Sequence, residues 1–176
     1  MRWLLRIAGG LVLVALLVVV AGFFVPSSFR VERSLVISAP PERLYALVGT
    51  PRRWPEWSIW NRRDPAMAMT FFGPEAGAGA GWSWQSRTEG RGRMTFLTAD
   101  PEKGFTYELF FPDYDSTSTG EIRFERQTVG TRVTWTNVGD VGRNPLLHYM
   151  ALVMDRMVGP EFDAGLANLK VLAEKA

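Results

Sequence analysis

The first part of the chain is uniformly apolar. No charged or strongly polar residue occurs from Ile7 to Val25, and Pro26-Ser27-Ser28 ends this stretch. At about 1.5 Å per residue, an α-helix of this length reaches roughly 28 Å, close to the ~30 Å of a bilayer core. We therefore predict a transmembrane anchor over residues 1–25. The alternative is a signal peptide cleaved after Val19-Val20-Ala21, whose apolar region would normally be shorter, ~7–15 residues.

The basic residues on either side of this stretch bear on its orientation. Arg2 and Arg6 precede it, and positive residues favour the cytoplasmic side. Arg30, Arg33 and Arg43 follow it closely and favour the opposite orientation. We expect a single-pass membrane protein with its domain on the extracytoplasmic side, and the reverse orientation stays open.

From residue 26 onward, apolar and polar residues alternate in one segment after another. This alternation is typical of antiparallel strands that bury one face. It predicts a first strand, two short helical segments, and then six further strands. The apolar rows of these strands are, in chain order, Val31, Leu35 and Ile37; Met67, Met69 and Phe71; Trp82 and Trp84; Met94 and Phe96; Phe105, Tyr107, Leu109 and Phe111; Ile122 and Phe124; and Val133 and Trp135.

The end of the chain changes to a helical period. Its apolar residues recur every three or four positions, and we expect this row to face the sheet. Gly159-Pro160 lies within the segment and should kink or break it, because proline removes a helix hydrogen bond. The row comprises Leu147, Met150, Met154, Met157, Phe162, Leu166, Leu169 and Ala173.

These elements together predict an α+β domain over residues 26–176. The simplest way to bury both apolar faces is to lay a long C-terminal helix across a curved, seven-stranded antiparallel sheet. The preceding anchor would then be a separate unit.

Composition removes several classes of function. Two of the 20 basic residues, Arg2 and Arg6, precede the anchor, so the remaining ones equal the 18 acidic residues in number. A neutral domain lacks the surplus of cations that nucleic-acid binding requires. The chain has no cysteine and one histidine, His148, which argues against thiol chemistry and against a metal site. We predict no metal and no cofactor.

No catalytic motif is recognisable. His148 and Asp155 could join a serine in a triad, but the Gly-x-Ser-x-Gly turn that exposes such a nucleophile does not occur. The glycines of Gly77–Gly81 join two strands, whereas a dinucleotide-binding loop precedes a helix. We expect a hairpin loop there, whose tip could act as a lid. We predict no catalytic residue.

Several segments, in this order and spacing, resemble the START/polyketide-cyclase (SRPBCC) superfamily, and specifically its polyketide-cyclase-like members. The resemblance spans about Val31 to Glu174. It implies a helix-grip fold, in which the C-terminal helix closes an apolar cavity lined by the sheet. It implies no single activity, because members include lipid carriers, hormone receptors and aromatases or cyclases. The matching segments are Val31–Glu42, Trp54–Trp60 with Asp64-Pro65, Gly77–Trp84, Gly90–Met94 and Met154–Lys170.

The resemblance and the aromatic rows together indicate a ligand-binding cavity. Such cavities have apolar walls and a few polar groups, and Tyr107 is the best candidate for a polar contact. The alternative is that these rings simply fill the core. The predicted cavity residues are Trp57, Trp60, Trp82, Trp84, Met94, Tyr107, Leu109, Phe111, Phe124, Trp135, Met150 and Met154.

The segment Pro51–Arg63 places three tryptophans between two pairs of arginines. Aromatic rings and cations are combined in this way at membrane interfaces. One hypothesis is that the segment borders the cavity mouth and faces lipid. The other is that Trp54, Trp57 and Trp60 cap the core while the arginines are solvated.

The function favoured by these observations is binding of a hydrophobic small molecule or lipid at a membrane, for transport or sensing. One alternative is a cyclase- or hydrolase-type enzyme acting on a polyketide-like aromatic substrate. Another is a non-catalytic interaction module with a sealed core. The sequence indicates no particular protein partner.

Overall fold

A computed structural model of the chain describes residues 2–175, apart from the side chain of residue 5. An N-terminal helix precedes a domain in which one strand, four short helical segments, six strands and a long helix follow one another. The elements are α1 (Arg2–Gly22), β1 (Ser28–Ile37), α2 (Pro41–Val48), a 3₁₀ turn (Pro51–Arg53), α3 (Trp54–Trp57), α4 (Ile59–Arg63), β2 (Ala68–Phe72), β3 (Gly81–Gln85), β4 (Arg91–Asp100), β5 (Gly104–Phe111), β6 (Ser116–Arg126), β7 (Thr131–Asp140) and α5 (Pro145–Glu174).

The seven strands form one antiparallel sheet in the order β1-β7-β6-β5-β4-β3-β2. Consecutive strands from β2 to β7 are neighbours. β1 pairs with β7, so β1 and β2 are the two edges of the sheet. The predicted α+β fold, with seven antiparallel strands and a long C-terminal helix, is confirmed. We call the face that packs against α3 and α5 the inner face of the sheet.

α5 has a capped first turn, and its second half packs against the core as the sequence pattern predicts. Asn144 caps its first turn by accepting a hydrogen bond from the backbone N–H of Leu146 at 3.0 Å, and Pro145 occupies the first helical position. From Met154 onward the helix packs against the core, where Phe162, Leu166, Leu169 and Ala173 are buried.

The predicted break at Gly159-Pro160 is not found, because α5 is a single helix through these residues. Arg33 on β1 lies across this point: its Nη1 is 2.7 Å from Asp155, and its Nε is 3.1 Å from Asp163, one turn on either side. The guanidinium occupies the space where a side chain at Gly159 would be. These ion pairs and the core contacts of α5 outweigh the ~3 kcal/mol cost of an internal proline.

The expectation that the first turns of α5 face the sheet is wrong for three residues. Leu147, Met150 and Met157 are all exposed, whereas Met154 packs against the core. The first turns of α5 lie against the end of α1 instead, through contacts described below.

α1 is long and apolar enough to cross a membrane. It is almost fully exposed, and Gly22 at its end is its only buried residue among the side chains described. Ser27 then ties the chain to β7, because its Oγ donates to Asp140 at 2.6 Å and its carbonyl accepts from Val141 at 3.0 Å.

Replacing Gly120 with alanine should destabilise the sheet. Gly120 on β6 lies opposite Tyr107 on β5, and an added Cβ would be 1.9 Å from Cζ of that ring. Because Tyr107 is buried and cannot move aside, we expect a loss of roughly 1–3 kcal/mol in unfolding free energy, measured by urea titration of tryptophan fluorescence. Gly9→Ala in α1 is the control, since its Cβ would meet nothing within 4 Å. Equal unfolding midpoints for the two variants would contradict this packing.

Candidate functional site: the inner face of the sheet

The inner face is covered by tryptophan rings that α3 inserts from one side. Pro51 and Pro55 fix the backbone at the start of the 3₁₀ turn and of α3. The Nε1 of Trp54 donates to the carbonyl of Val48 at 2.7 Å, which fixes the ring at the end of α2. α3 is therefore a short support that points two aromatic side chains, Trp54 and Trp57, at the sheet.

These rings are in direct aromatic contact with the sheet and with α5. The centroid of Trp54 is 4.5 Å from that of Trp57 and 4.9 Å from that of Trp82. The centroid of Trp57 is 5.3 Å from that of Trp135 on β7. On its other side, Trp135 stacks on Phe162 of α5 at 4.1 Å with nearly parallel planes. One continuous aromatic cluster thus joins α3, the sheet and α5.

Eleven of the predicted cavity residues lie on or beside this inner face, and one does not. Six are buried, five are partly buried, and Met150 is exposed on α5. The buried residues are Trp57, Trp82, Met94, Tyr107, Phe124 and Trp135, and the partly buried ones are Trp60, Trp84, Leu109, Phe111 and Met154.

Two pockets lined by described residues open on the surface. One, of about 310 Å³, lies between Pro51-Arg52 and the edge strand β2. The other, of about 490 Å³, lies between the turn after β1 and the turn after β6. Neither is lined by a predicted cavity residue, and the inner face between α3 and α5 is occupied by rings.

The hypothesis that the tryptophans of Pro51–Arg63 face lipid is wrong for Trp54 and Trp57, whose rings are buried in the core. Trp60 is partly buried, and its Nε1 donates to Glu161 on α5 at 2.9 Å. The loop Gly77–Gly81 is likewise held to the domain. Its first glycine donates to the carbonyl of Gly49 at 3.2 Å, so a freely moving lid is not indicated.

A polar group lies within the aromatic surroundings, at Tyr107. Its hydroxyl oxygen accepts a hydrogen bond from Nε1 of Trp135 at 2.7 Å. Burial raises the pKa of Tyr107 to about 12, although hydrogen bonds from Trp135 and Asn137 act in the opposite direction. The phenol is therefore neutral at physiological pH. Tyr107 is thus a buried polar residue, and the expectation that it contacts a ligand stays a prediction.

Two further polar atoms on this side of the sheet have no hydrogen-bond partner among the described residues. They are Nε1 of Trp57, a donor, and Oδ1 of Asn137, an acceptor, and both are buried. Asn137 lies opposite Gly120, which in turn lies opposite Tyr107, so all three share the inner face. Most buried polar groups in proteins are paired, and an unpaired one costs about 1–3 kcal/mol.

The predicted cavity residues include neither Asn137 nor Trp54. The signal for Asn137 was present, because it follows Trp135 at the spacing of two that keeps side chains on one face of a strand. An amide at a position where the alternation requires an apolar residue indicates a buried polar group. Trp54 could not be separated from the other tryptophans, because the backbone of a short turn decides where each ring points.

The two side chains considered for a catalytic triad, those of His148 and Asp155, make contacts away from the inner face. His148 lies at the junction with α1, with Nδ1 2.8 Å from the carbonyl oxygen of Gly22 and Nε2 3.0 Å from that of Gly142. Asp155 pairs with Arg33, and this hydrogen bond lowers the pKa of the carboxyl group. Within residues 2–175, no group of three or more potential ligands could hold a metal ion.

Comparison with known proteins gives a family and a fold. The family described as "Polyketide cyclase / dehydrase and lipid transport" matches residues 28–174. The chain belongs to this family. The match covers the whole sheet and all of α5, and the resemblance inferred from sequence is confirmed. A search of curated proteins gives no match.

Solved structures share the fold at low sequence identity. Protein MLL2253 from Mesorhizobium loti is 18% identical with a TM-score of 0.59, covering 81% of this chain and 95% of its own. The Aha1 dimer from Colwellia psychrerythraea is 16% identical with a TM-score of 0.58, covering 82% and 96%. The di-domain ARO/CYC BexL, from the BE-7585A biosynthetic pathway, is 15% identical with a TM-score of 0.59, covering 85% and 51%. At these identities the likeness establishes the helix-grip fold alone.

Alkaline pH should destabilise the domain through Tyr107. Its pKa is about 12 in the folded protein and about 10 in an unfolded chain, so the folded state keeps a proton that the unfolded state has lost. The unfolding free energy should fall by roughly 1.4 kcal/mol per pH unit as the pH rises through this window, and Tyr107 should have no such effect below it. Urea titrations at several pH values will measure the slope.

The unfolding free energy should fall less steeply with pH in Tyr107→Phe, which has no phenolic proton to lose at this position. Tyr114→Phe is the matched control because its side chain is exposed, and it should retain the slope of the unmodified protein. If both variants behave alike across the window, Tyr107 is not the group responsible.

Proposed function

We propose that this protein binds a hydrophobic small molecule or lipid between the inner face of the sheet and the helices α3 and α5, at a membrane to which residues 1–25 anchor it. The observation that carries the proposal is the pair of buried polar atoms, on Trp57 and Asn137, that have no partner among the described residues and lie in a mostly aromatic interior. A donor and an acceptor left unpaired among rings are what a ligand with one or two polar groups would use. Membership of a family described by polyketide cyclisation and lipid transport supports the same conclusion.

The chemistry of the inner face restricts the ligand. Most of its surface is aromatic, so most of the ligand is apolar, either an acyl chain or fused rings. Its polar part accepts a hydrogen bond from Trp57 or donates one to Asn137, as a hydroxyl, an amide or a protonated carboxyl group can. A full negative charge is disfavoured, because the described residues provide no buried cation on this face.

Ligand uptake requires α3 to move away from the sheet, since Trp54 and Trp57 occupy the space. A small number of polar contacts link this segment to α5. Nδ2 of Asn168 donates to the carbonyl of Trp57 at 3.0 Å, and Arg62 donates to Oδ1 of Asn168 at 3.0 Å. The helices α3 and α4 have four and five residues, so neither is stable on its own. Displacing them would open the inner face beside the surface cleft at Pro51-Arg52.

The proposed membrane anchor would hold the ligand-binding domain at the surface of a bilayer. An apolar ligand is far more abundant in a bilayer than in water, and a tethered domain samples that source directly. We propose that residues 1–25 form the anchor, that residues 26–176 form the ligand-binding domain, and that the domain lies on the extracytoplasmic side. Arg2 and Arg6 before the apolar stretch support this orientation.

Ligand binding can be tested at Asn137. Replacing it with leucine removes an acceptor that has no donor among the described residues, but also a hydrogen bond to Tyr107, so the unfolding free energy should change by no more than about 1 kcal/mol. Occupancy by copurified apolar molecules should nevertheless drop roughly five- to tenfold, the loss expected for one hydrogen bond of about 1–1.4 kcal/mol. Native mass spectrometry of the full chain, extracted from membranes in mild detergent, measures both the mass and the occupancy.

Thr136→Val is the matched control, because Thr136 is the neighbouring residue on β7 and points to the opposite face, where it donates to Glu32 at 3.1 Å. It should keep the occupancy of the unmodified protein. A protein that is empty in every preparation, and that does not bind the uncharged methyl ester of a palmitate carrying an anthroyloxy fluorophore, would instead be an interaction module with a sealed core. Turnover of an offered polyketide-like aromatic substrate would identify an enzyme.

The rate of uptake should depend on the contacts that hold α3 in place. Asn168→Ala removes the bonds to Trp57 and to Arg62, so the same anthroyloxy palmitate methyl ester should bind several-fold faster. Energy transfer from the buried tryptophans to the fluorophore measures the rate in stopped flow. Lys170→Ala is the control on α5, since Lys170 bonds to Val36 and Glu174 and not to α3 or α4. Equal rates in both variants would mean that α3 is not the gate.

A further inference from the structure

α5 carries an apolar stripe on the side that faces away from the core. Leu146, Met150, Val153 and Met157 follow one another at intervals of four, three and four residues, which aligns them along one side of a helix. All four are exposed, at 51%, 41%, 37% and 54%. The stripe is roughly 16 Å long at 1.5 Å per residue. A contiguous exposed surface of this kind indicates an interaction site.

The first turns of α5 are attached to the end of α1. The hydroxyl of Tyr149 donates to the carbonyl of Val18 at 2.8 Å. Gly22 lies so close to Pro145 that an added Cβ would be 2.4 Å from the proline carbonyl oxygen. The ring of His148 lies 2.8 Å from the carbonyl of Gly22. These contacts fix the start of α5 beside the last turns of α1.

This attachment sets the depth of α5 relative to a bilayer. Val18 precedes the last residue of α1 by four positions, or roughly 6 Å along its axis. Phe23 and Phe24, just beyond α1, are exposed as aromatic residues at a bilayer interface are. If α1 spans the membrane, Val18 lies below that interface. Tyr149, which reaches Val18, then places the first turns of α5 at the bilayer surface.

We propose that the first half of α5, residues 146–157, inserts its apolar stripe into the interfacial layer of the bilayer beside α1. This inference rests on the proposed membrane anchoring. Amphipathic helices bind in this way, with the apolar side buried a few ångströms and basic residues at the headgroups. Arg143 and Arg156 are exposed near the two ends of the stripe and suit that position.

A bilayer fits this surface better than a second copy of the chain does. The contact between Tyr149 and Val18 joins the first turns of α5, where the stripe begins, to the exposed apolar helix α1. Lipid that surrounds α1 is therefore already adjacent to the stripe. The corresponding side of the second half of α5, farther from α1, has Ala164, Ala167 and Val171 and lacks the larger apolar residues.

Insertion can be tested with single cysteines, since the chain has none of its own. Val153 and Val171 are both exposed valines, and their separation of 18 residues is about five helical turns, which places them on the same side of α5. Full-length Val153→Cys and Val171→Cys, and Leu13→Cys in α1, are reconstituted in anionic nanodiscs, where both bilayer faces are accessible. The rate of alkylation by a charged maleimide and quenching of a thiol-linked fluorophore by brominated lipid are then measured.

We expect the cysteine at 153 to react at least roughly tenfold more slowly than the one at 171, because the reactive thiolate does not form in lipid. Brominated lipid should quench the probes at 13 and 153 and not the probe at 171. Met150→Cys, on the same stripe, should behave as Val153→Cys does.

Three outcomes would overturn the inference. Equal reactivity at 153 and 171, with the probe at 13 quenched, leaves the anchor in place and removes α5 from the membrane. Protection at 153 that disappears when the protein is diluted in lipid means that a second copy covers the stripe. Free reactivity at all three positions means that α1 does not span the bilayer, and the proposed anchoring fails as well.

Discussion

The structure depends on the packing of Trp54 and Trp57 between the inner face of the sheet and α5. An open sheet of seven strands with one long helix leaves a gap that the helix alone cannot fill. The two rings close this gap, and the stack of Trp135 on Phe162 extends the contact from β7 to α5. Aromatic pairs of this kind add about 0.5–1.5 kcal/mol each beyond the area they bury. The short segment from Pro51 to Arg63 is therefore an internal wall of the domain.

This segment is also where the proposed ligand binding has a cost in stability. Burying Nε1 of Trp57 and Oδ1 of Asn137 without partners costs free energy that an apolar pair of side chains would avoid. Proteins retain such costs at sites where another molecule supplies the missing hydrogen bonds. Asn168 and Glu161 form the polar contacts between this segment and α5. In the proposed function, ligand binding must offset the loss of these contacts and of the aromatic packing.

The junction between α1 and α5 links this interior to the apolar N-terminal helix. His148, Tyr149 and Pro145 all contact the last turns of α1, and Ser27 bonds to Asp140 at the end of β7. The helix that closes the inner face is thus the same helix that meets the anchor. In the proposed function, α5 would border both the bilayer that supplies the ligand and the inner face that binds it. No long linker would separate the membrane from the site.

The sequence by itself determined the elements: local periodicity alone distinguishes seven strands, a long C-terminal helix and an apolar N-terminal helix, and a family resemblance named their arrangement. Tertiary structure decided which surfaces meet. The first half of α5 is apolar on nearly every side, so its pattern could not tell that Met154 faces the core while Met150 faces away. Likewise, α5 continues through Pro160, where the turns that follow pack in the core and Arg33, distant in sequence, pairs with the helix on both sides. Contacts between residues far apart in the chain leave no periodic signal, and only the folded chain reveals them.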